Sequence, residues 1–474
     1  MSASCPDGDN AVALATLRER VSLARFQAND SVRRHPRLSD ASPRPVTRWL
    51  SSTSPAAFTA YAGLAAFATY FSMYAYRKPF TVASFPGELD IPGLPHLGYK
   101  SLFIIAQGVG YAASKFLGIK FVSELSPGRR AATILGLIGA AELALLLFAI
   151  LPQPYSAICM TLNGLPLGMI WGLVFGFLEG RRVSDLLGVG LSISFIVSSG
   201  VVKTVGRWLL GTGVPEVWMP VTVGALFALP LLLFVAMLAQ IPPPSAEDEA
   251  SRTKRAPMSA GERNAFFRAN APGLIALIVL YVLLTAFRDL RDNFARELWD
   301  ALGFAGEPAI LTTAELPVAF GALIGVGAIY LIKDNRRALM AIHGIMLFGS
   351  FLIGGSTILF DLGAIGPVPW MISVGLGLYL GYVPFNSVLF DRLIAALGSV
   401  ATAGFLIYVA DAFGYLGSMT VLVTKSVGSP NLSWLEFFRV FAYVTAVVTG
   451  VLYVGSALYF RGRTSKLIPR PRQR

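Results

Sequence analysis

The sequence is poor in charged residues. Only 14% of its 474 residues are Asp, Glu, Lys or Arg, whereas 54% are hydrophobic. A soluble protein carries about 25% charged residues. This composition excludes an ordinary soluble domain and predicts a chain that is mostly embedded in lipid.

Cysteine and histidine are also scarce. Cys5, Cys159, His35, His96 and His343 are scattered along the chain, which provides neither a disulfide framework nor a metal site. The sequence has no glycine-rich loop followed by Lys-Ser/Thr, so ATP-driven transport has no support. No pair of catalytic carboxylates and no nucleophile–base motif stands out. We therefore expect no enzymatic activity, no cofactor and no nucleic-acid partner.

Long apolar runs are what the sequence does contain. Residues 1–55 are polar and Arg-rich and lack the apolar core of a signal peptide, which indicates a mostly disordered cytoplasmic extension. Twelve segments that can each cross about 30 Å of hydrocarbon follow. They lie near residues 56–85, 98–120, 130–151, 155–181, 186–211, 217–241, 272–298, 309–332, 338–360, 367–394, 398–424 and 437–460. The polar linker 242–271 separates two predicted six-helix bundles, residues 56–241 and 272–460, and a basic tail covers 461–474.

Cations concentrate in alternate loops, which predicts the orientation of the chain. Basic residues follow segments two, four, six and eight and fill the tail, whereas the loops near 152–156 and 361–367 are nearly free of them. The positive-inside rule then places both termini in the cytoplasm. We expect a monomeric, multi-pass protein of the inner (cytoplasmic) membrane, with the lipid bilayer as its surroundings.

The first apolar segment contains two adjacent cations, Arg77 and Lys78. A charge at bilayer depth costs from ~2.5 to more than ~10 kcal/mol, so each is expected to face protein or water with a partner. Helical spacing puts Tyr70, Tyr74, Arg77 and Thr81 on one face. Alternatively, Pro79 ends the helix and the two cations extend to the lipid headgroups.

A second copy of this arrangement favours the first interpretation. Arg291-x-x-Phe294 lies 214 residues after Arg77-x-x-Phe80, and the same shift puts Arg288 opposite Tyr74. Repeats of this kind build many transporter folds, with the substrate site where the repeats meet.

Several motifs of the first half carry a family resemblance. They are Tyr76–Phe80 (YRKPF), Gly110–Phe116 (GYAASKF), Ser123–Arg130 (SELSPGRR), Leu167–Trp171 (LGMIW) and Trp218–Pro220 (WMP). With six plus six segments and a basic central loop, the chain resembles the major facilitator superfamily. More specifically, it resembles the organophosphate:phosphate antiporters.

The resemblance implies that arginines of segments one and seven bind the phosphate of a substrate in a central cavity. Arg77 would take the first role, and Arg288 or Arg291 the second. Two planar guanidinium forks can hold one dianion through bidentate hydrogen bonds. Arg288 and Asp292 are spaced i, i+4 and could instead pair with each other.

Other intramembrane charges are candidates for coupling or gating. Glu179 and Arg181 lie near the end of segment four, and Asp391 and Arg392 lie near the end of segment ten. Either both sets belong to cytoplasmic loop networks that lock the halves together, or Glu179 and Arg181 lie inside the cavity and exchange partners as it opens and closes. Lys203 and Asp411 lie deep in segments five and eleven and could pair across the halves, form a proton relay, or each pair locally. Asn386 could offer a substrate hydrogen bond. Glu142 has no evident partner.

We therefore expect a secondary active transporter that moves a small anionic or phosphorylated metabolite by alternating access. Arg77, Lys78, Tyr70, Tyr74, Arg288, Arg291 and Asn386 would bind the substrate, and exchange against phosphate is what the resemblance implies. The acids Asp289, Asp292, Asp411 and Glu142 suggest a proton-coupled carrier of a different small solute as a variant. A membrane sensor that binds such a ligand without transporting it is the alternative from another class.

Overall fold

The computed structural model describes residues 44–90, 96–179, 181, 184–245, 248, 260–398, 403–428 and 431–465. The described residues fall into two units, divided between Ser51 and Ser52. Helix α1 (Pro45–Ser52) accounts for most of the described part of the first unit and ends one residue past the boundary. It falls inside the stretch predicted to be mostly disordered; residues 1–43 of that stretch lie outside the described part.

The second unit begins with seven helices that correspond to the first six apolar segments. They are α2 (Pro55–Met73), α3 (Tyr99–Glu124), α4 (Arg130–Ile150), α5 (Ser156–Leu167), α6 (Ile170–Phe175), α7 (Ser184–Gly211) and α8 (Met219–Leu238). Short 3-10 turns cover Tyr74–Tyr76, Pro79–Val82 and Pro127–Arg129, and the strands β1 (Glu88–Leu89) and β2 (Leu97–Gly98) pair antiparallel. We call this part, residues 55–238, the N-half.

Ten further helices can be given bounds in the described residues that follow. They are α9 (Ala260–Ala269), α10 (Ala271–Asn293), α11 (Ala295–Ala301), α12 (Ile310–Thr313), α13 (Glu315–Gly327), α14 (Asn335–Asp361), α15 (Pro367–Ser387), α16 (Leu389–Ala396), α17 (Ala403–Val423) and α18 (Trp434–Ser465). A 3-10 turn at Ala328–Leu331 extends α13, and a π turn at Thr424–Gly428 extends α17. Residues 271–465 are called the C-half. Helix α9 occupies part of the predicted linker.

Helix starts follow local capping chemistry. Ser54 accepts a hydrogen bond from the amide of Ala57 at the start of α2, where Pro55 occupies the first turn. Ser433 and Glu436 form a capping box, with Glu436 N to Ser433 Oγ at 3.1 Å and Ser433 N to Glu436 Oε2 at 3.0 Å. Helix α18 therefore begins earlier than the predicted segment 437–460.

The predicted membrane architecture is confirmed. Among the described residues, 10 helical stretches are long and apolar enough to cross a membrane. They correspond to ten of the twelve predicted segments. The other two, near 56–85 and 98–120, are α2 and α3. The orientation of the termini remains a prediction.

Several segments predicted as single helices are broken. The first helix ends at Met73 instead of continuing toward residue 85, the fourth breaks after Leu167, and the tenth breaks after Ser387. Pro166 and Pro384 lie inside the last turns before two of these breaks, where each removes a backbone donor and crowds the preceding turn.

Packing is densest within each half. In the N-half α3 and α4 pack on α5, and α2 packs on α7 and α8; in the C-half α14 packs on α15 and α18, and α10 packs on α17 and α18. The halves meet through α7 against α12 and α13, and through α3 against α17. Residues of both halves therefore lie next to each other along these helices.

Candidate functional site

The break in the first membrane helix is held by two buried amide side chains. Gln107 donates to the carbonyl oxygen of Arg77 at 3.0 Å and to Asn163 Oδ1 at 2.8 Å. Asn163 donates to the carbonyl oxygens of Tyr76 and Ala141, both at 3.0 Å. Backbone at membrane depth is tolerated outside a helix only where protein groups satisfy it. These amides therefore fix the non-helical position from which Arg77 projects.

Arg77 is surrounded by tyrosines. Its guanidinium carbon lies 3.9 Å from the ring centroid of Tyr111 and 5.8 Å from that of Tyr74. Tyr70 and Tyr415 also lie within electrostatic range, and the ring pairs Tyr70–Tyr74 and Tyr111–Tyr415 are 5.6 and 5.0 Å apart. We call these four residues the tyrosine group. Since Tyr415 belongs to α17 and the others to the N-half, both halves form it.

The guanidinium of Arg77 has no carboxylate partner in the described part of the chain. Arg77 is only 9% exposed, its Nε has no hydrogen-bond partner, and its side chain forms no ion pair there. The interpretation in which it extends to the headgroups is thus wrong. Tyr70, Tyr74 and Arg77 lie close together although the helix ends at Met73. Thr81 lies in a separate 3-10 turn, where its hydroxyl donates to the carbonyl oxygen of Lys78.

Arg288 faces the tyrosine group from the C-half. It interacts electrostatically with Tyr415 and stacks 4.5 Å from the ring of Tyr382, to whose hydroxyl it also donates. Its Nη2 lies 2.7 Å from Asp289 Oδ1, and Ser418 donates to the other oxygen of Asp289 at 2.7 Å. The charge of Arg288 is therefore compensated by its sequence neighbour, and the alternative pairing with Asp292 does not form.

A second ion pair lies beside the tyrosine group. Lys115 Nζ is 3.3 Å from Asp411 Oδ2 and 5.3 Å from the ring centroid of Tyr111. The other oxygen of Asp411 accepts a hydrogen bond from Tyr281, whose hydroxyl also contacts Asn386 Nδ2 at 3.2 Å. Sequence analysis assigns Lys115 no role beyond its place in the GYAASKF motif. Its spacing of four residues from Tyr111 was the available signal.

Asp292 joins the two halves. Its carboxylate lies 2.5 Å from the ammonium nitrogens of both Lys78 and Lys203, and it accepts a hydrogen bond from Ser199 at 2.5 Å. Lys78 also donates to Asn293 at 2.7 Å. Lys203 and Asp411 thus form no ion pair with each other, and the ion pairs given for them do not lie within their own halves. Each instead has a partner in the opposite half.

Further contacts between the halves lie at the same end of the molecule, where α2 and α10 end and α3 begins. Lys100 pairs with Glu297, and Arg207 Nη2 lies 2.6 Å from Asp300 Oδ1. Arg296 donates to the carbonyl of Val82 at 2.6 Å. Together with the pairs of Asp292, these contacts form what we call the cross-half layer, which holds the two halves together at this end.

Arg291 is buried away from the tyrosine group. Its Nη1 lies 2.7 Å from Glu315 Oε1, and its Nη2 lies 3.2 Å from the carbonyl oxygen of Met371. A Cβ atom at Gly375 would lie 2.6 Å from the same Nη2, so the glycine makes room for the guanidinium. Of the two arginines considered from the sequence, Arg288 is therefore the one that shares Tyr415 with Arg77.

The charges at the ends of segments four and ten belong neither to the tyrosine group nor to the cross-half layer, although Glu179 lies within electrostatic range of Tyr408 in the C-half. Arg181 donates to the carbonyl of Pro242 and stacks 4.6 Å from the ring of Phe58, while Glu179 is exposed. Arg392 donates to Asn335 at 2.9 Å, and its neighbour Asp391 is half-buried. These described contacts of Arg181 and Arg392 stay on their own sides of the molecule.

Comparisons with solved structures support the same fold. The nucleoside transporter NupG is similar with a TM-score of 0.51 at 15% identity, over 88% of this chain and 100% of that chain. A bacterial homologue of the human drug peptide transporters PepT1 and PepT2 gives 0.57 at 12% identity, over 86% and 100%. A POT family transporter in complex with 5-aminolevulinic acid gives 0.53 at 14%, over 85% and 96%. At such identities the likeness concerns the fold, and it confirms the predicted major facilitator architecture.

None of the curated proteins compared with the chain matches it in sequence. A family model does match, over residues 79–463, which is most of the membrane part. The chain therefore belongs to the family of unknown function DUF5690.

Proposed function

We propose that this protein is a secondary transporter that binds a small anion at Arg77 and moves it across the membrane by alternating access. The observation that carries the proposal is the guanidinium of Arg77, which is buried between the halves without a carboxylate partner among the described residues. An uncompensated buried charge is strongly unfavourable. A bound anion would supply the missing partner.

The surroundings of Arg77 suit an oxyanion. A guanidinium offers a planar set of donors that matches carboxylate and phosphate oxygens. The hydroxyls of Tyr70 and Tyr74 form no hydrogen bond to any residue that the structure describes, so they are free to donate to the same ligand. Stacking on Tyr111 leaves the edge of the guanidinium available for such bonds.

The arrangement of the halves suits a carrier. The tyrosine group is formed by both halves, and the cross-half layer lies on one side of it. In transporters built from two repeats, access alternates as one bundle rocks against the other around a central site. Opening toward the cross-half layer would require the pairs of Asp292 to break, so we assign Lys78, Lys203 and Asp292 to gating. Asp289, as the partner of Arg288, and Asp411, as the partner of Lys115, are our candidates for coupling.

We also propose a second substrate-binding arginine, a coupling mode, an orientation and a membrane. Arg288 is the candidate second arginine, and it would reach the substrate only by leaving Asp289. Exchange of a phosphorylated metabolite against phosphate is one version, and proton coupling through Asp411 is another. The positive-inside rule supports cytoplasmic termini, and the inner membrane is the location that we propose.

Counterflow in proteoliposomes tests the proposal. The full chain is first screened by thermal shift against anionic metabolites, and radiolabelled hits are then assayed for exchange. We expect Arg77→Lys and Arg77→Gln to lose most binding, because an ammonium cannot donate to two oxygens from one plane. Arg439→Gln is the matched control, since Arg439 pairs with Asp361 within the C-half.

Three outcomes are distinguishable. Exchange of label that depends on Arg77 supports the transporter. Binding that depends on Arg77 without any exchange would favour the sensor. Full affinity and uptake in Arg77→Lys would overturn the anion site.

A further inference from the structure

We infer that the substrate carries a single negative charge on the group that Arg77 binds. This inference rests on the proposed function and names the charge class of its ligand. It follows from the ion pairs that the cations closest to the tyrosine group form.

The cations closest to the tyrosine group are Arg77, Arg288 and Lys115. Arg288 is neutralised by Asp289 at 2.7 Å, and Lys115 is neutralised by Asp411 at 3.3 Å. Each carboxylate also accepts a hydrogen bond, Asp289 from Ser418 and Asp411 from Tyr281. One cation, Arg77, is left over, so the site itself has an excess of one positive charge.

The next shell carries one more positive charge, but that charge is already bonded inside the protein. The Arg291–Glu315 pair is neutral and lies outside the tyrosine group. Lys78 and Lys203 share Asp292, which leaves one further positive charge there. Both ammonium groups are bonded to Asp292 within the cross-half layer. While that layer is closed, neither can bind a ligand at the tyrosine group.

A second charge on the ligand would have to break an existing pair. It would draw Arg288 from Asp289 or Lys115 from Asp411, and a buried carboxylate would lose its cation. Removing one partner of a buried ion pair is strongly destabilising. A carboxylate or a phosphodiester carries one charge, whereas a phosphate monoester carries about −1.5 to −2 at pH 7. The structure therefore favours a singly charged oxyanion over a phosphate monoester.

Pairs of probes that differ by one charge test this inference. Dimethyl phosphate is compared with methyl phosphate, and each phosphate monoester found in the metabolite screen is compared with its methyl diester. Binding to the purified full chain is measured by calorimetry, with Arg77→Gln as the reference. We expect the monovalent member of each pair that binds to bind at least about tenfold more tightly in the wild type.

Asp289→Asn provides the complementary test, because it frees Arg288 and raises the excess charge of the site to two. This variant should improve the affinity for divalent probes by about tenfold or more relative to monovalent ones. Glu315→Gln is the matched control, since it frees Arg291 outside the tyrosine group and should leave the preference unchanged.

Failure of the inference and failure of the proposed function give different results. A wild type that prefers divalent probes, in a manner that depends on Arg77, overturns the inference and leaves the anion site intact. An Asp289→Asn variant with the wild-type preference also contradicts the inference. If no anion binds in a manner that depends on Arg77, the proposed function fails and the inference falls with it.

Discussion

Lys78 and Asp292 form an ion pair at 2.5 Å across the boundary between the two halves. The two residues are 214 positions apart, which is the same interval that aligns Arg77 with Arg291. Equivalent positions of two repeats related by a pseudo-two-fold axis meet where they lie close to that axis. Lys78 and Asp292 do so with opposite charges, whereas the two equivalent arginines diverge to Tyr111 and Glu315.

Asp292→Asn should weaken the cross-half layer. The substitution leaves the ammonium groups of Lys78 and Lys203 buried without a carboxylate, and breaking a buried pair in this way costs about 3–5 kcal/mol. We expect a lower thermal midpoint and faster amide hydrogen exchange in residues 77–85 and 291–300. Mass spectrometry of the exchanged peptides measures the second effect.

Asp361→Asn is the control for that variant. Asp361 pairs with Arg439 at 2.5 Å, but both residues belong to the C-half and the arginine is 38% exposed. Loss of an exposed pair costs about 0–1 kcal/mol. Equal exchange in the two variants would contradict a special role for Asp292.

We expect the ring of Tyr111, and not its hydroxyl, to contribute to anion binding. The guanidinium of Arg77 stacks 3.9 Å from the ring centroid, and a desolvated cation–π contact is worth about 2 kcal/mol. Tyr111→Leu is expected to lower anion affinity by about tenfold or more, whereas Tyr111→Phe should stay within about threefold of wild type. Calorimetric titration of an anion found in the screen checks both.

Trp434→Leu separates this effect from a general loss of stability. Lys425 lies 4.7 Å from the ring centroid of Trp434, so this variant removes a cation–π contact at a distance from the tyrosine group. It should lower the thermal midpoint without changing anion affinity. Matching affinity losses for Tyr111→Phe and Tyr111→Leu would argue against stacking as the cause.

The fold could be predicted from the sequence because apolar length and alternating loop charge are local signals. Arg77 and Lys78 could be predicted as site residues from a local signal too, because a charge inside an apolar segment is costly to bury whatever surrounds it. The residues that pair with these buried charges could not be predicted from the sequence. Which acid meets Lys203 depends on how the halves pack, and the sequence offered Asp411 although Asp292 is the partner.

The break after Met73 also lay beyond sequence reasoning. Segment one has no proline before Pro79, so its periodicity continues through Arg77. The break depends on donors from two other helices, Gln107 and Asn163, which replace helical hydrogen bonds that the chain gives up. Nothing in the sequence around Gln107 or Asn163 indicates that their side chains bond to the backbone of segment one.

Asn163→Leu tests whether these donors position Arg77. The variant leaves the carbonyl oxygens of Tyr76 and Ala141 without their donor, and an unsatisfied buried group costs about 1–3 kcal/mol. We expect both a lower thermal midpoint and weaker anion binding, because the backbone that carries Arg77 loses its support. Circular dichroism on heating and calorimetry measure the two quantities.

Ser350→Ala is the comparison that isolates positioning. Ser350 contacts Thr449 at 2.6 Å inside the C-half, in an equally buried hydrogen bond. Its loss should lower stability and leave anion affinity at the wild-type value. Wild-type affinity in Asn163→Leu would show that Arg77 keeps its place without the amide.

Gly200→Ala should prevent the halves from closing at the cross-half layer. A Cβ atom at Gly200 would lie 2.3 Å from the carbonyl oxygen of Leu311, which belongs to α12 in the opposite half. A backbone atom can yield only if the helices move apart, and overpacking of this kind costs about 1–3 kcal/mol. We expect faster hydrogen exchange in residues 199–207 and 308–315, and slower counterflow. Gly190→Ala in the same helix has no atom within 4 Å of the added Cβ and should behave as wild type, whereas unchanged exchange in Gly200→Ala would mean that this contact does not limit closure.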